Sequence, residues 1–184
     1  MAIVVGFFFP QWLPFLHQEV RGAVVIPATT MPVDGKITSS GTIVEAGKPV
    51  RIVVPSVNID LQVADGQYNQ KTGEWTLSKD KAYYATITPF VNNIGGNTFM
   101  YGHNRRSVFA SLMGVKTGDE VLVYTDNQKI FTYSFRDSKD VEPTDASLFA
   151  YEGKPILTLQ TCSGTWYQNR RLFTFDFVNV EHQP

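Results

Sequence analysis

From Val50 onward the chain is a succession of short strand-like runs separated by turn residues, and this pattern constrains the fold more than any other feature. The runs are Val50–Val54, Ile59–Ala64, Asn97–Tyr101, Glu120–Thr125, Lys129–Arg136, Ile156–Thr161 and Arg171–Val180. Within the fifth, Phe131, Tyr133 and Phe135 alternate with Thr132, Ser134 and Arg136, the period of two of a half-buried strand. Asp126-Asn127-Gln128 joins that run to the one before it as a short hairpin loop. Helical spacing is confined to 106–115, with Val108, Leu112 and Val115 on one face, and to 144–151. Lys116-Thr117-Gly118 supplies a stop signal for the first of these. Many short strands with one or two short helices predict a mainly β domain, closed or nearly closed into a barrel.

The length of 184 residues suits one domain, read here as residues 50–184, preceded by an apolar segment and a linker or arm over residues 1–49. Ala2-Ile-Val-Val-Gly-Phe-Phe-Phe-Pro10, continued through Trp12, Leu13, Phe15 and Leu16, is apolar but contains two prolines. It falls short of the ~18 apolar residues of a spanning helix and lacks the basic leader of a secretory signal. Two readings stand: a buried N-terminal strand or helix, or the remnant of a membrane anchor that continues upstream. Residues 26–49 are rich in Pro, Gly, Ser and Thr and read as the linker.

Sixteen Lys and Arg against seventeen Asp and Glu leave a net charge of −1, so general attraction to nucleic acid or acidic lipid is not expected. The single cysteine, Cys162, excludes an internal disulfide framework and a Cys-rich metal site. Asp119, Glu120, Asp137 and Asp140 are acidic, but their spacing is not that of a hard-cation loop; they read as solvated turn charges, with Ca²⁺ not excluded. No cofactor is called for.

Cys162 closes the run Ile156-Leu-Thr-Leu-Gln-Thr-Cys162 and is followed by Ser163-Gly164. A lone cysteine in such a run is often a small buried hydrophobe. Here alternation puts Cys162 on the side of Thr158 and Gln160, away from Leu157 and Leu159, at the strand's end. A free thiol has a pKa of roughly 8.5 and needs a neighbouring base or cation to react as thiolate. Of the three histidines, His17 and His182 have no motif around them, whereas His103 follows Phe99-Met-Tyr-Gly102 at the end of another strand. His103 is either a structural loop histidine or the partner that activates the thiol for acyl transfer. Gly102 before it permits a tight turn or a close approach of another segment.

Acyl transfer also requires a donor for the developing oxyanion. Arg170 and Arg171 open the last strand, and alternation sends their side chains to opposite faces. Arg171 shares a face with Phe173, Phe175 and Phe177, the core face; Arg170 shares the other with Leu172, Thr174 and Asp176. Arg170 is therefore the expected partner of a Cys162 that points away from the core, unless both arginines are solvated strand-end charges. The backbone amides of Thr161 and Ser163 flank the thiol and are candidate oxyanion donors. Trp75, Tyr83 and Tyr84 are candidate groove aromatics, and Trp166 and Tyr167, in the loop joining Cys162 to Arg170, are candidate substrate-binding residues.

Thr158-Leu-Gln-Thr-Cys162 resembles the TLxTC signature of the sortases, followed by an Arg-aliphatic strand, with the Gly102-His103 pair ending an earlier strand. Arg51-Ile-Val-Val-Pro-Ser-Val-Asn-Ile-Asp-Leu61 is similar to the family's first barrel strands, and Phe109-Ala-Ser-Leu112 with Lys116-Thr-Gly-Asp-Glu-Val121 to the segment after the histidine. The resemblance covers roughly Val50 to Val180. It implies a closed eight-stranded sortase-type β-barrel in which Cys162 is the nucleophile, His103 the acid/base and Arg170 the oxyanion or substrate-positioning residue. It implies a cysteine transpeptidase at the extracellular face of the membrane of a Gram-positive-type bacterium. Such an enzyme cleaves a C-terminal sorting motif of the LPxTG kind and passes the acyl group to an amine of a cell-wall precursor or to a pilin lysine. Tyr101 departs from the small residue many members carry before the Gly-His pair. No Asp-Pro-aromatic lid motif is found in the arm, which argues against the pilin-building class. Two rival readings of the same residues are a cysteine peptidase with water as acceptor and an inactive barrel used as a peptide-binding or adhesion module.

Overall fold

Alternation along the strands turns the larger set of apolar side chains onto an inner surface, and eight strands close around it. The computed structural model describes residues 44–69, 71 and 74–184; the apolar stretch Ala2–Leu16, His17 and the linker up to residue 43 lie outside the described residues. The strands are β1 (Pro49–Val54), β2 (Ile59–Gly66), β3 (Ala82–Ala85), β4 (Asn97–Tyr101), β5 (Glu120–Thr125), β6 (Lys129–Val141), β7 (Ile156–Ser163) and β8 (Asn169–His182). Around the barrel they run β6-β8-β7-β4-β3-β2-β1-β5, and β5 closes onto β6. The β2–β3 and β4–β7 pairs are parallel and the remainder antiparallel.

The expected strands are present, and β6 and β8 extend beyond their expected ends because they pair with each other from Lys129↔His182 to Val141↔Arg170. β3 escaped the sequence reading. Ala82-Tyr-Tyr-Ala85 is buried on both faces, so no polar residue marks a period of two. The hairpin loop at Asp126–Gln128 is confirmed, with Gln128 in the left-handed region (φ 62°) and its amide donating to Thr125 O at 3.2 Å.

Both helical expectations are corrected. The 106–115 segment contains only a 3-10 turn at Ala110–Gly114, and the 144–151 segment only one at Ser147–Ala150. In neither does the residue preceding the turn, Phe109 or Ala146, cap it with its side chain. Segments this short are held by tertiary contacts rather than by helix propagation; Val108, Phe109 and Leu112 are buried in the barrel core.

Two apolar clusters lie on opposite faces of the same strands. Ile52, Val123, Phe131, Tyr133, Leu157, Leu159, Phe173 and Phe175 fill the barrel, each large side chain contributing about 1.5–3 kcal/mol on burial. Tyr83, Phe99, Tyr101 and Leu172 form a second cluster, and Trp75, Leu148 and Phe149 pack against it. Trp75 arrives on a short hairpin, Tyr68–Asn69 paired with Glu74–Trp75, set in the crossover between β2 and β3. Phe149 arrives on the β6–β7 loop, and its ring meets Phe99 edge-on at 4.7 Å. These two insertions raise walls along the face that carries the candidate site.

Candidate active site

Strand register brings the expected residues together. Cys162 faces Arg170 directly in the β7–β8 ladder, while β4, parallel to β7, delivers Gly102 and His103 beside the same end. Three hydrogen bonds lace the histidine loop to β7: Gly102 N donates to Gln160 O at 3.0 Å, Thr161 Oγ1 donates to Gly102 O at 2.9 Å, and Asn104 Nδ2 donates to Cys162 O at 2.9 Å. The His103 carbonyl accepts from the amides of Arg105 (2.9 Å) and Phe109 (3.1 Å), which folds the following segment into a tight turn. Gly102 is required by this closeness, since a Cβ there would lie 2.7 Å from Val108 Cγ1 and 3.1 Å from Phe109 Cδ2.

Cys162, His103 and Arg170 line one groove of about 810 Å³, within the size range of ligand sites. Its floor includes Phe99, Tyr101, Gln160 and Thr161, one wall Tyr68 and Trp75, the other Pro143, Thr144, Asp145 and Phe149. The face assigned to Cys162 is thus a groove floor, not a solvated strand face; Thr158, on the same side, is fully buried. Tyr101 fits because Gly66 stands beside it, where a Cβ would collide with the phenol oxygen. Its ring stacks on Tyr83 at 5.8 Å and takes Trp75 edge-on at 5.1 Å.

Electrostatically the site is sparse. Partial burial, and secondly the charge of Arg105, hold the His103 imidazole below its ordinary range, which favours the neutral base. The Arg170 guanidinium is aimed by backbone: Nη1 donates to Tyr167 O at 3.1 Å and Asn169 O at 3.0 Å. Arg171 points to the other side and pairs with Asp140, as strand alternation requires.

The remaining candidates are dispersed. The Thr161 side chain faces Gly102, and the Ser163 hydroxyl donates to Asp140 Oδ1 at 2.7 Å. Trp166 and Tyr167 stand in the β7–β8 loop at 86% and 59% exposure, outside the lining of the groove, with Tyr167 at φ 57°. Tyr84 turns inward and its hydroxyl donates to Thr88 O, leaving Trp75 as the candidate aromatic that reaches the groove directly. Among the described residues no cluster of three His, Cys, Asp or Glu side chains is placed to hold a metal. Asp140 is engaged by Arg171 and Ser163, and Asp119 Oδ2 accepts from Lys116 N. No helix among the described residues is long and apolar enough to cross a membrane.

Asn104, Gln160, Tyr68 and Phe149 were not singled out by the sequence. Gln160 shares the Cys162 face by alternation and was legible in principle; the others depend on loop paths that no local pattern encodes.

The sortase domain family profile matches residues 52–175. Sortase A of Listeria monocytogenes is 28% identical over 116 residues, covering 60% of this chain and 47% of the relative; the chain thus spans about half the length of that protein. The crystal structure of L. monocytogenes sortase A superposes with a TM-score of 0.61 at 24% identity, over 76% of this chain and 92% of that one. Sortase C-3 of Streptococcus pneumoniae gives a TM-score of 0.61 at 23% identity, over 76% and 67% of the two chains. Sortase C-1 of Actinomyces oris gives 0.56 at 26% identity, over 72% and 76%. With its barrel, its Gly-His and Cys-Arg strand ends and the family profile spanning most of the domain, the chain belongs to the sortase family.

Proposed function

We propose that this protein is a cysteine transpeptidase that cleaves an LPxTG-type sorting motif between Thr and Gly and transfers the acyl group to an amine, with Cys162 as nucleophile, His103 as acid/base and Arg170 as oxyanion donor. The observation that carries the reading is that these three residues line one groove, with Cys162 and Arg170 paired across adjacent strands.

The chemistry follows from the groups present. Neutral His103 takes the thiol proton as Cys162 Sγ attacks the threonine carbonyl carbon. Arg170, permanently charged and with several fixed donors, stabilises both the thiolate and the oxyanion that forms next. When the C–N bond breaks, protonated His103 gives its proton to the departing glycine amine, leaving a thioester on Cys162. The incoming amine, deprotonated by His103, then attacks the thioester carbonyl; the C–S bond breaks and the thiol is restored. The apolar rings of Trp75 and Phe149, one from each wall, suit the Leu-Pro end of the motif. The acceptor is an amine of a cell-wall precursor or a pilin lysine, and the site of action is the outer face of the bacterial membrane.

The test is incubation with an LPxTG-type peptide, with and without an added amine, followed by mass spectrometry. The expected result is a thioester on Cys162 and an amine-dependent ligation product. Cleavage that stays hydrolytic at every amine concentration would replace transpeptidation with peptidase activity. Absence of any adduct, with peptide bound equally by Cys162→Ala, would leave a binding module.

A further inference from the structure

Behind Cys162 and Arg170, on the opposite face of the same two strands, two polar side chains converge on one carboxylate through three hydrogen bonds. Ser163 Oγ donates to Asp140 Oδ1 at 2.7 Å, Arg171 Nε donates to the same oxygen at 3.0 Å, and Arg171 Nη2 donates to Oδ2. Asp140 and Arg171 are ladder partners across β6–β8, and Arg171 faces Thr161 across β8–β7. The cluster therefore joins three strands at the level of the reacting groups. Arg171 Nη1 also lies 3.8 Å from Met113 Sδ, in the 3-10 turn that follows the His103 loop. Asp140 stands two residues before the loop whose Pro143, Thr144 and Asp145 wall the groove.

We propose that Asp140, Arg171 and Ser163 form a positioning clasp that fixes Cys162 and Arg170 relative to each other and to the groove wall, without touching substrate. This rests on the roles assigned above to Cys162 and Arg170.

The need for a clasp is mechanical. Cys162 is the penultimate residue of β7 and Arg170 the second of β8, and the intervening loop is exposed, so both reacting groups sit where a ladder frays. A displacement of about 1 Å at such a site costs about a hundredfold in rate. A two-pronged Arg–carboxylate contact supplies direction as well as attraction, and its neighbours in sequence are Cys162 beside Ser163 and Arg170 beside Arg171. Because Asp140 and Arg171 are 38% and 36% exposed at the side chain, solvent screens their attraction and their worth to global stability is small. Their contribution is orientation, and it is separable from stability.

The experiment uses the full chain and the variants Asp140→Asn, Arg171→Gln, their double mutant, Ser163→Ala and the exchanged pair Asp140→Arg with Arg171→Asp. Three quantities are read: kcat with an LPxTG-type peptide and an amine, the rate of Cys162 alkylation by iodoacetamide, and the melting temperature. The expected result is a fall in kcat of about tenfold or more in either single variant, with the double mutant no worse than the singles, because coupled residues lose their function once. Alkylation changes in parallel, melting temperatures stay close to wild type, and the exchanged pair regains part of the lost rate. Single variants within about twofold of wild-type kcat, or losses that multiply in the double mutant, overturn the clasp. Should the ion-pair variants melt early, Ser163→Ala leaves the pair intact and is expected to lower kcat alone; an unchanged kcat there overturns the proposal. Turnover surviving in Cys162→Ala would instead overturn the assigned roles, and the alkylation rates would still report on the clasp.

Discussion

Cys162 and Arg170 are direct partners in the β7–β8 ladder, so the thiol and the guanidinium leave adjacent strands on the same face, one pair of residues from the loop that joins them. Arg170→Ala is expected to lower kcat/KM by about 10²–10³, the loss associated with removing one oxyanion donor. Arg171→Ala, whose guanidinium lies on the opposite face against Asp140, is expected to cost less. Steady-state kinetics on both variants check this, and equal losses or the reverse order would remove Arg170 from its role. Cys162→Ala and His103→Ala are each expected to abolish turnover.

The pH profile carries the second prediction. Burial and the charge of Arg105 keep the His103 pKa below its ordinary value, so the neutral base persists into mildly acidic solution. Arg105→Ala removes the like charge and raises that pKa. The acid limb of kcat/KM is expected to move to higher pH in the variant, as read from rates across the acid range; an unmoved limb would show that His103 does not set it.

Asp140 gives a prediction for stability. Hydrogen bonds from Arg171, then from Ser163, push its carboxyl down to about 2 from 3.8. A carboxyl whose pKa is depressed by folding stabilises the fold above its unfolded value and loses that contribution as pH falls through the folded one. The small difference in melting temperature between wild type and Asp140→Asn is thus expected above about pH 4 and to close toward pH 2. A difference independent of pH over that window would contradict the ion pair.

Gly102 tests the packing around the histidine. A Cβ would sit 2.7 Å from Val108 Cγ1 and 3.1 Å from Phe109 Cδ2, both in fully packed surroundings. Gly102→Ala is expected to destabilise by about 1–3 kcal/mol, the cost of overpacking, and to lower kcat by displacing His103. Thermal melts and kinetics on one sample check both parts.

Trp75 tests the groove. Its ring stands 5.1 Å from Tyr101 and 6.0 Å from Phe149, at the junction of the two walls. Trp75→Ala is expected to raise KM for the sorting-motif peptide by about tenfold, a loss of ~1.4 kcal/mol, with kcat nearly unchanged. A change confined to kcat would place Trp75 outside peptide binding.

Local pattern determined the barrel strands and marked the candidate site residues. Alternation in β6 and β8 marks the inner face because a strand turns successive side chains to opposite sides, and the same rule separates Arg170 from Arg171 and aligns Cys162 with Gln160. The order Gly-His, then Cys, then Arg is written in the chain itself. Pattern failed where burial is two-sided, as in Ala82–Ala85, and where a segment shows helical spacing but is too short to propagate a helix, as in 106–115. Only the tertiary structure decided what faces the thiol. Parallel pairing of β4 with β7 brings His103 beside Cys162 across 58 intervening residues, and the crossover hairpin and the β6–β7 loop set Trp75 and Phe149 along the groove. It also left Trp166 in solvent and turned Ser163 inward to Asp140. The physical reason is one of range: side-chain direction follows from backbone period within a strand, whereas loop paths and parallel pairings are chosen by the burial of surfaces distant in sequence.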